Sequence, residues 1–89
     1  MSEWEKYSGS IEKSREYHHR YHRAVNHPIR REILRLIVKG MNEEDIAKTL
    51  NLSKSDFDYH LKVLIEGFCV KRIEGKLVVT QEGMVVGHL

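Results

Sequence analysis

At 89 residues, 40 % hydrophobic and 31 % charged, the chain is sized for one small core and excludes a catalytic cleft between lobes. No apolar run approaches the roughly 20 residues of a membrane-spanning helix, and the opening MSEWEKYSGS lacks the apolar core of a secretory signal, so a cytoplasmic protein without membrane attachment is expected. The net charge of +2 is uneven: residues 10–39 hold eight Lys and Arg against three Glu, and residues 40–89 hold six against eight acidic side chains, so a polyanion would feel the N-terminal half strongly.

Residues 10–26 read as a first helix opening at Ser10. Trp4, Tyr7, Ile11, Ser14, His18, Tyr21 and Val25 recur at alternating steps of three and four, a loose stripe that suits docking better than a regular coiled coil. The helix from Asn26 to Lys39 is clearer. Asn26 or His27 can cap it, Pro28 suits its first turn, and Ile29, Ile33, Leu36 and Ile37 form one apolar face before Gly40.

Asn42 opens a third helix with Glu43, Glu44 and Asp45 in its first turn, where unpaired amides favour negative charge, and Ile46, Ala47 and Leu50 supply its buried side. Ser53 opens a fourth. Asp56 completes a Ser-x-x-Asp variant of the reciprocal capping box, Phe57, Leu61 and Leu64 stripe the inner face, and Gly67 closes the helix. The period then changes: Val70–Ile73 and Lys76–Thr80 are β-branched and bracket Glu74-Gly75, which predicts a short hairpin. Thr80 can cap a final turn within QEGMVVGHL. The single cysteine, Cys69, lies in the apolar run FCV and reads as a small buried hydrophobe.

Two short helices around Asn51-Leu52-Ser53 make a helix-turn-helix: Ala47 permits close helix contact, Asn51 tolerates left-handed backbone, and Leu52 plugs the corner. The hairpin behind it supplies a wing. The expected fold is therefore mainly α (α+β), a winged helix-turn-helix in which a helical bundle carries a C-terminal two-stranded β-hairpin. The stretches HPIRREILRLI (27–37), MNEEDIAKTLNLSKSDFDYHLKVLIEGFCV (41–70) and GKLVVTQEG (75–83) together resemble the ArsR-like winged-helix transcriptional regulators, with His-Pro-x-Arg-x-x-Ile-Leu, Ser-x-Ser-x-x-x-x-His-Leu and Thr-x-x-Gly in order. The resemblance implies a homodimer on double-stranded DNA, with the helix after Ser53 in the major groove and the wing along the backbone. It divides a single domain, 1–89, into an N-terminal extension (1–25), a winged-helix core (26–83) and a tail (84–89). Few residues follow Gly83, so residues 3–25 are expected to share the dimer contact.

Carried over by position, the DNA-facing residues are Lys54, Ser55, Asp58, Tyr59 and Lys62. A helical projection independently sets Ser55, Tyr59 and Lys62 opposite Phe57, Leu61 and Leu64, with Asp58 on the flank. Lys54 and Lys62 suit phosphate or guanine; Ser55 and Tyr59 suit base edges or backbone. Asp56 is explained by its cap. Asp58 stands where the family pattern has Ser; it is four residues from both Lys54 and Lys62, so a Lys-Asp-Lys ladder can neutralise it, or it can accept a bond from cytosine N4. Uncompensated, it favours the alternative of a winged helix that recognises protein and does not bind DNA.

Lys71, Arg72 and Lys76 surround the wing tip and suit backbone contact, and Arg20, Arg23, Arg30 and Arg31 are candidate flanking phosphate contacts. His60 reads as a partly buried core residue. His18 and His22, four apart on one helical face, are the weak candidates for a metal, and with His19 and His27 they form a cluster able to respond to pH. Metal-sensing members of the family use cysteine pairs in the helix corresponding to Asn42–Leu50 or ligands in a long final helix. This chain has neither, so a metal-responsive regulator is the lesser alternative and no cofactor is expected. With no phosphate-cradling glycine loop and no nucleophile beside a base, no enzyme is expected.

Overall fold

The computed structural model describes residues 11–85, with side chains from Lys13 onward. The order is α1 (Ile11–Val25), α2 (Pro28–Val38), α3 (Glu43–Thr49), α4 (Lys54–Glu66), β1 (Val70–Ile73), β2 (Lys76–Val79) and a single turn, α5 (Gln81–Met84). This is an α+β winged-helix layout: a helical bundle with an antiparallel hairpin near its C-terminal end.

Polar side chains set the helix starts by accepting from amides that have no partner inside the helix. His27, rather than Asn26, caps α2: its backbone is extended and Ile29 N–H donates to its Nδ1 at 3.2 Å. Asp45 N–H donates to Asn42 Oδ1 at 2.8 Å at the head of α3, and Asp56 N–H to Ser53 Oγ at 3.1 Å at the head of α4. Only this half of the Ser53–Asp56 box forms. Between α3 and α4, Asn51 takes φ 55 and Leu52 N–H donates to Ala47 O at 2.8 Å, which turns the chain sharply enough to seat Leu52 against the core.

The end of α4 differs from its sequence reading. Gly67 keeps φ −89, and Phe68 takes the left-handed conformation at φ 67. Cys69 N–H then reaches back to Leu64 O and Phe68 N–H to Ile65 O, the double closure that usually has glycine at its turning point. Gly67 is required for space. A Cβ there would lie 2.7 Å from Arg20 O and closer still to Ala24 Cβ, because α1 crosses α4 at this point.

That crossing also corrects the face of α1. Tyr17 and Ala24 are buried and Tyr21 and Val25 half-buried, while His18 points to solvent. The helix is rotated so that small Ala24 meets Gly67 and the Tyr17 ring stacks on Phe68, centroids 4.9 Å apart. Trp4, Tyr7 and Ser10, and the side chain of Ile11, lie outside the described residues.

The core joins Ile33, Leu34, Leu36 and Ile37 of α2 to Ile46 of α3, Phe57, Leu61, Val63 and Leu64 of α4, and Cys69 and Val70. Burying each large aliphatic chain among these stabilises the fold by about 1.5–3 kcal/mol. Cys69 is fully buried and burial pushes its thiol up to about 12, so it behaves as an unreactive hydrophobe.

In the hairpin Val70 pairs with Val79 and Ile73 with Lys76. Glu74 (φ 51) and Gly75 (φ 79) make the two-residue left-handed turn whose twist matches the strands. Thr80 falls outside β2: its hydroxyl donates to Phe68 O and accepts from Gly83 N–H, so it fastens the hairpin to the end of α4 while capping α5. Tyr21 Oη donates to Glu82 O at 3.3 Å and ties α1 to the same turn. No helix among the described residues is long and apolar enough to cross a membrane.

Candidate functional site

Helix α4 is held along one side and bare along the other. Phe57, Leu61 and Leu64 face the core and Val63 and Gly67 face α1, so Lys54, Ser55, Asp58, Tyr59 and Lys62 are all exposed. Tyr59 is 50 % exposed although it is aromatic. Its Oη accepts from Arg23 Nη2 of α1 at 3.2 Å, and the hydrogen bond and charge of that guanidinium hold the phenol below its ordinary pKa. The Tyr59 proton is thereby left pointing away from Arg23, available to an external acceptor.

The four arginines proposed as flanking contacts divide. Arg23 joins the α4 surface through Tyr59. Arg31 is exposed, with Nη1 donating to Val25 O at 2.9 Å. Arg30 is a correction: it is 7 % exposed, with Nη1 donating to Arg23 O at 2.6 Å, Nε to His60 Nδ1 at 3.2 Å, and its guanidinium 5.7 Å from the Tyr59 ring centre. Buried to this degree, with Nε and Nη1 both engaged inside the fold, the guanidinium is poorly placed to meet phosphate. Its sequence position shows why: residues 30, 33, 34 and 37 fall on one face of α2, and an arginine in line with Ile33, Leu34 and Ile37 belongs to the core.

Arg20 is engaged within the fold. Its Nε donates to Glu66 O at 2.7 Å at the carbonyl end of α4, Nη1 meets Glu16 at 3.4 Å, and the guanidinium lies 4.6 Å over Phe68. It clamps a helix end where a cation is favoured.

On the wing, Lys71, Arg72 and Lys76 are exposed. Arg72 is already engaged: it makes a two-pronged contact with Glu43 at the head of α3, 3.0 and 3.4 Å, which raises its pKa, with a smaller contribution from the charge of Asp58. The wing is thus latched to the helix-turn-helix through a charge that sequence reading assigned to phosphate. Asp58 departs from expectation as well. No ion pair joins it to Lys54 or Lys62 among the described residues, and the ladder is absent; its field acts on Arg72 instead.

His60 is half-buried, as expected, and its role as the acceptor for Arg30 is new. Burial first, then the charges of Arg30 and His27, hold its pKa below the ordinary value, with Asp56 opposing. The His18 and His22 rings lie 6.1 Å apart on the outside of α1, and among the described residues no group of three or more His, Cys, Asp or Glu is placed to hold a metal ion.

No family model matches this sequence. Two proteins of Archaeoglobus fulgidus, each described only as uncharacterized, are similar to it. One is 42 % identical over 78 residues, covering 85 % of this chain and 88 % of its own length; the other is 36 % identical over 80 residues, covering 86 % and 93 %. Identity at that level runs through nearly the whole of all three proteins, and the chain belongs to one family with these two archaeal proteins.

Proposed function

We propose that the chain is a sequence-specific DNA-binding transcriptional regulator of the ArsR-like winged-helix kind, acting in the cytoplasm as a homodimer and not as an enzyme. The observation that carries this reading is the outer face of α4, where Lys54, Ser55, Tyr59 and Lys62 project from a helix braced on its other side by α1 and α2. A helix so braced fits a major groove roughly 12 Å wide. Lys54 and Lys62 meet phosphates on the groove walls, Ser55 and the Tyr59 hydroxyl offer donors to base edges or backbone, and Lys71 and Lys76 follow the neighbouring phosphates. In the dimer, paired copies of α4 are expected about 34 Å apart, one turn of duplex.

Asp58 makes this face partly repulsive. Its role under the proposal is to accept from a cytosine N4 amino group, which sets a base preference at the expense of backbone affinity. One titration tests both points. At low salt random duplex should bind, and with four lysine contacts from each protomer of the dimer the affinity should fall with a log–log slope of about −7, roughly ten-thousandfold between 50 and 200 mM salt. Asp58→Ser should relax preference at one base pair; a uniform gain in affinity instead would mean that the carboxylate is only a penalty.

Absence of binding at the lowest salt would overturn the proposal and favour a second reading, a protein-docking module. The groove between α3 and α4, floored by Ala47, Leu52 and Phe57 and rimmed by Glu43, Glu44, Asp58, Lys48 and Lys54, would then receive a partly apolar segment of mixed charge.

A further inference from the structure

Arg30 is the one buried charged side chain among the described residues, and none of its partners carries a negative charge. It pins three helices together with neutral groups: from α2 it reaches Arg23 O on α1 at 2.6 Å, His60 Nδ1 on α4 at 3.2 Å, and lies by the Tyr59 ring. The guanidinium cannot give up its proton. His60 therefore serves only while its Nδ1 is bare.

A second imidazole is used in the same way. His27 Nδ1 accepts from Ile29 N–H at the head of α2, and the two rings stand 4.9 Å apart. We infer that His60 is a proton-operated latch: uptake of a proton at Nδ1 releases Arg30, loosens the seam that holds α4 on α1 and α2, and weakens what the outer face of α4 binds.

The surroundings of His60 all bear on this. From α2 come Arg30 and His27; from α4 itself come Tyr59, its ring edge-on at 5.6 Å, and Asp56; from α1, Arg23 engages Tyr59. Asp56 alone favours the proton, and it is exposed. A protonated His60 would put donor against donor and a second positive charge beside a buried one, where the field is poorly screened.

The sign follows. Burial first, then the neighbouring Arg30 charge and the electrostatic effect of His27, lower the folded-state pKa of His60 below its ordinary 6.5, so the unfolded chain binds the proton more readily. The stabilisation is complete above about 6.5 and is lost as pH falls through the lower folded value. The link to binding rests on the proposed DNA-facing role of α4, whereas the latch itself does not.

Melting and the His60 ring resonances are to be followed between about pH 7.5 and about pH 5.5, in wild type and in His60→Asn. The Asn variant retains an acceptor oxygen near the place of Nδ1 and does not titrate. Wild type should lose roughly 4 °C or more, the variant clearly less, and the His60 ring should titrate below 6.5. Duplex affinity of wild type should fall about threefold or more with acid. Simple attraction of histidine cations to phosphate would strengthen binding instead. Parallel melting curves or a ring midpoint at or above 6.5 would overturn the latch, and tighter wild-type binding in acid would overturn its link to binding by α4. If the variant does not fold, the wild-type ring midpoint and the sign of the binding change decide. Failure to bind duplex at every pH would sink the proposed function, and the melting and ring data would still judge the latch.

Discussion

Gly67→Ala is expected to destabilise the protein by about 3 kcal/mol or more, the upper range of overpacking effects. The added methyl would meet Ala24 Cβ, Arg20 O and, at 3.2 Å, Val63 O. Two of those atoms are backbone and the third is a Cβ with no rotamer to change, so relief requires α1 to move away from α4. Moving it also separates Tyr17 from Phe68 and Arg20 from Glu66 O, which spreads the damage along the seam. Urea unfolding measures the loss, and Ala24→Gly in the same chain should recover part of it, because Arg20 O remains in the way. Gly75→Ala is the control. Nothing lies within 4 Å of a Cβ there, and only its φ of +79 is unfavourable, so about 1 kcal/mol is expected. Equal effects at the two glycines would refute the close approach of α1 to α4.

Lys54→Glu together with Lys62→Glu, which removes two contacts from each protomer of the dimer, should lower duplex affinity by roughly a hundredfold or more and make the salt dependence shallower by about 3.6 in log–log slope. Both lysines are exposed and neither takes part in an ion pair among the described residues, so melting should be nearly unchanged. That separation matters, because a loss of binding without a loss of stability assigns the effect to the surface. Duplex titration by fluorescence anisotropy reads it. Undiminished affinity in the double variant would remove this face of α4 from the interface.

What could be read in advance was what neighbouring residues determine. The caps at Asn42 and Ser53, the left-handed Asn51 and the Glu74-Gly75 tip each depend on contacts a few positions apart, and each formed. The outward set Lys54, Ser55, Asp58, Tyr59 and Lys62 follows from the period of α4 alone, since Phe57, Leu61 and Leu64 had to turn inward.

The differences arise where charge meets distance along the chain. Arg72 finds Glu43 29 positions away, and Arg20 finds Glu66 46 away, pairings that depend on how the wing and α1 sit on the bundle. A basic side chain in a helix is ordinarily solvated, and Arg30 is buried because His60 and the Arg23 carbonyl wait for it in the core. The face of α1 differs from its sequence reading for a related reason. Ala24 is too small to mark a stripe, and its importance appears only opposite Gly67.

Under the proposed function the exposed side of α4 is the surface that meets DNA. Amide chemical shifts followed while short duplex is added at low salt test it most directly. Shifts should concentrate at Lys54, Ser55, Asp58, Tyr59 and Lys62, with weaker ones at Lys71 and Lys76, all fading as salt rises. Shifts gathered instead around Tyr17, Tyr21 and Val85 on the α1–α5 side, or no shifts at all, would contradict it.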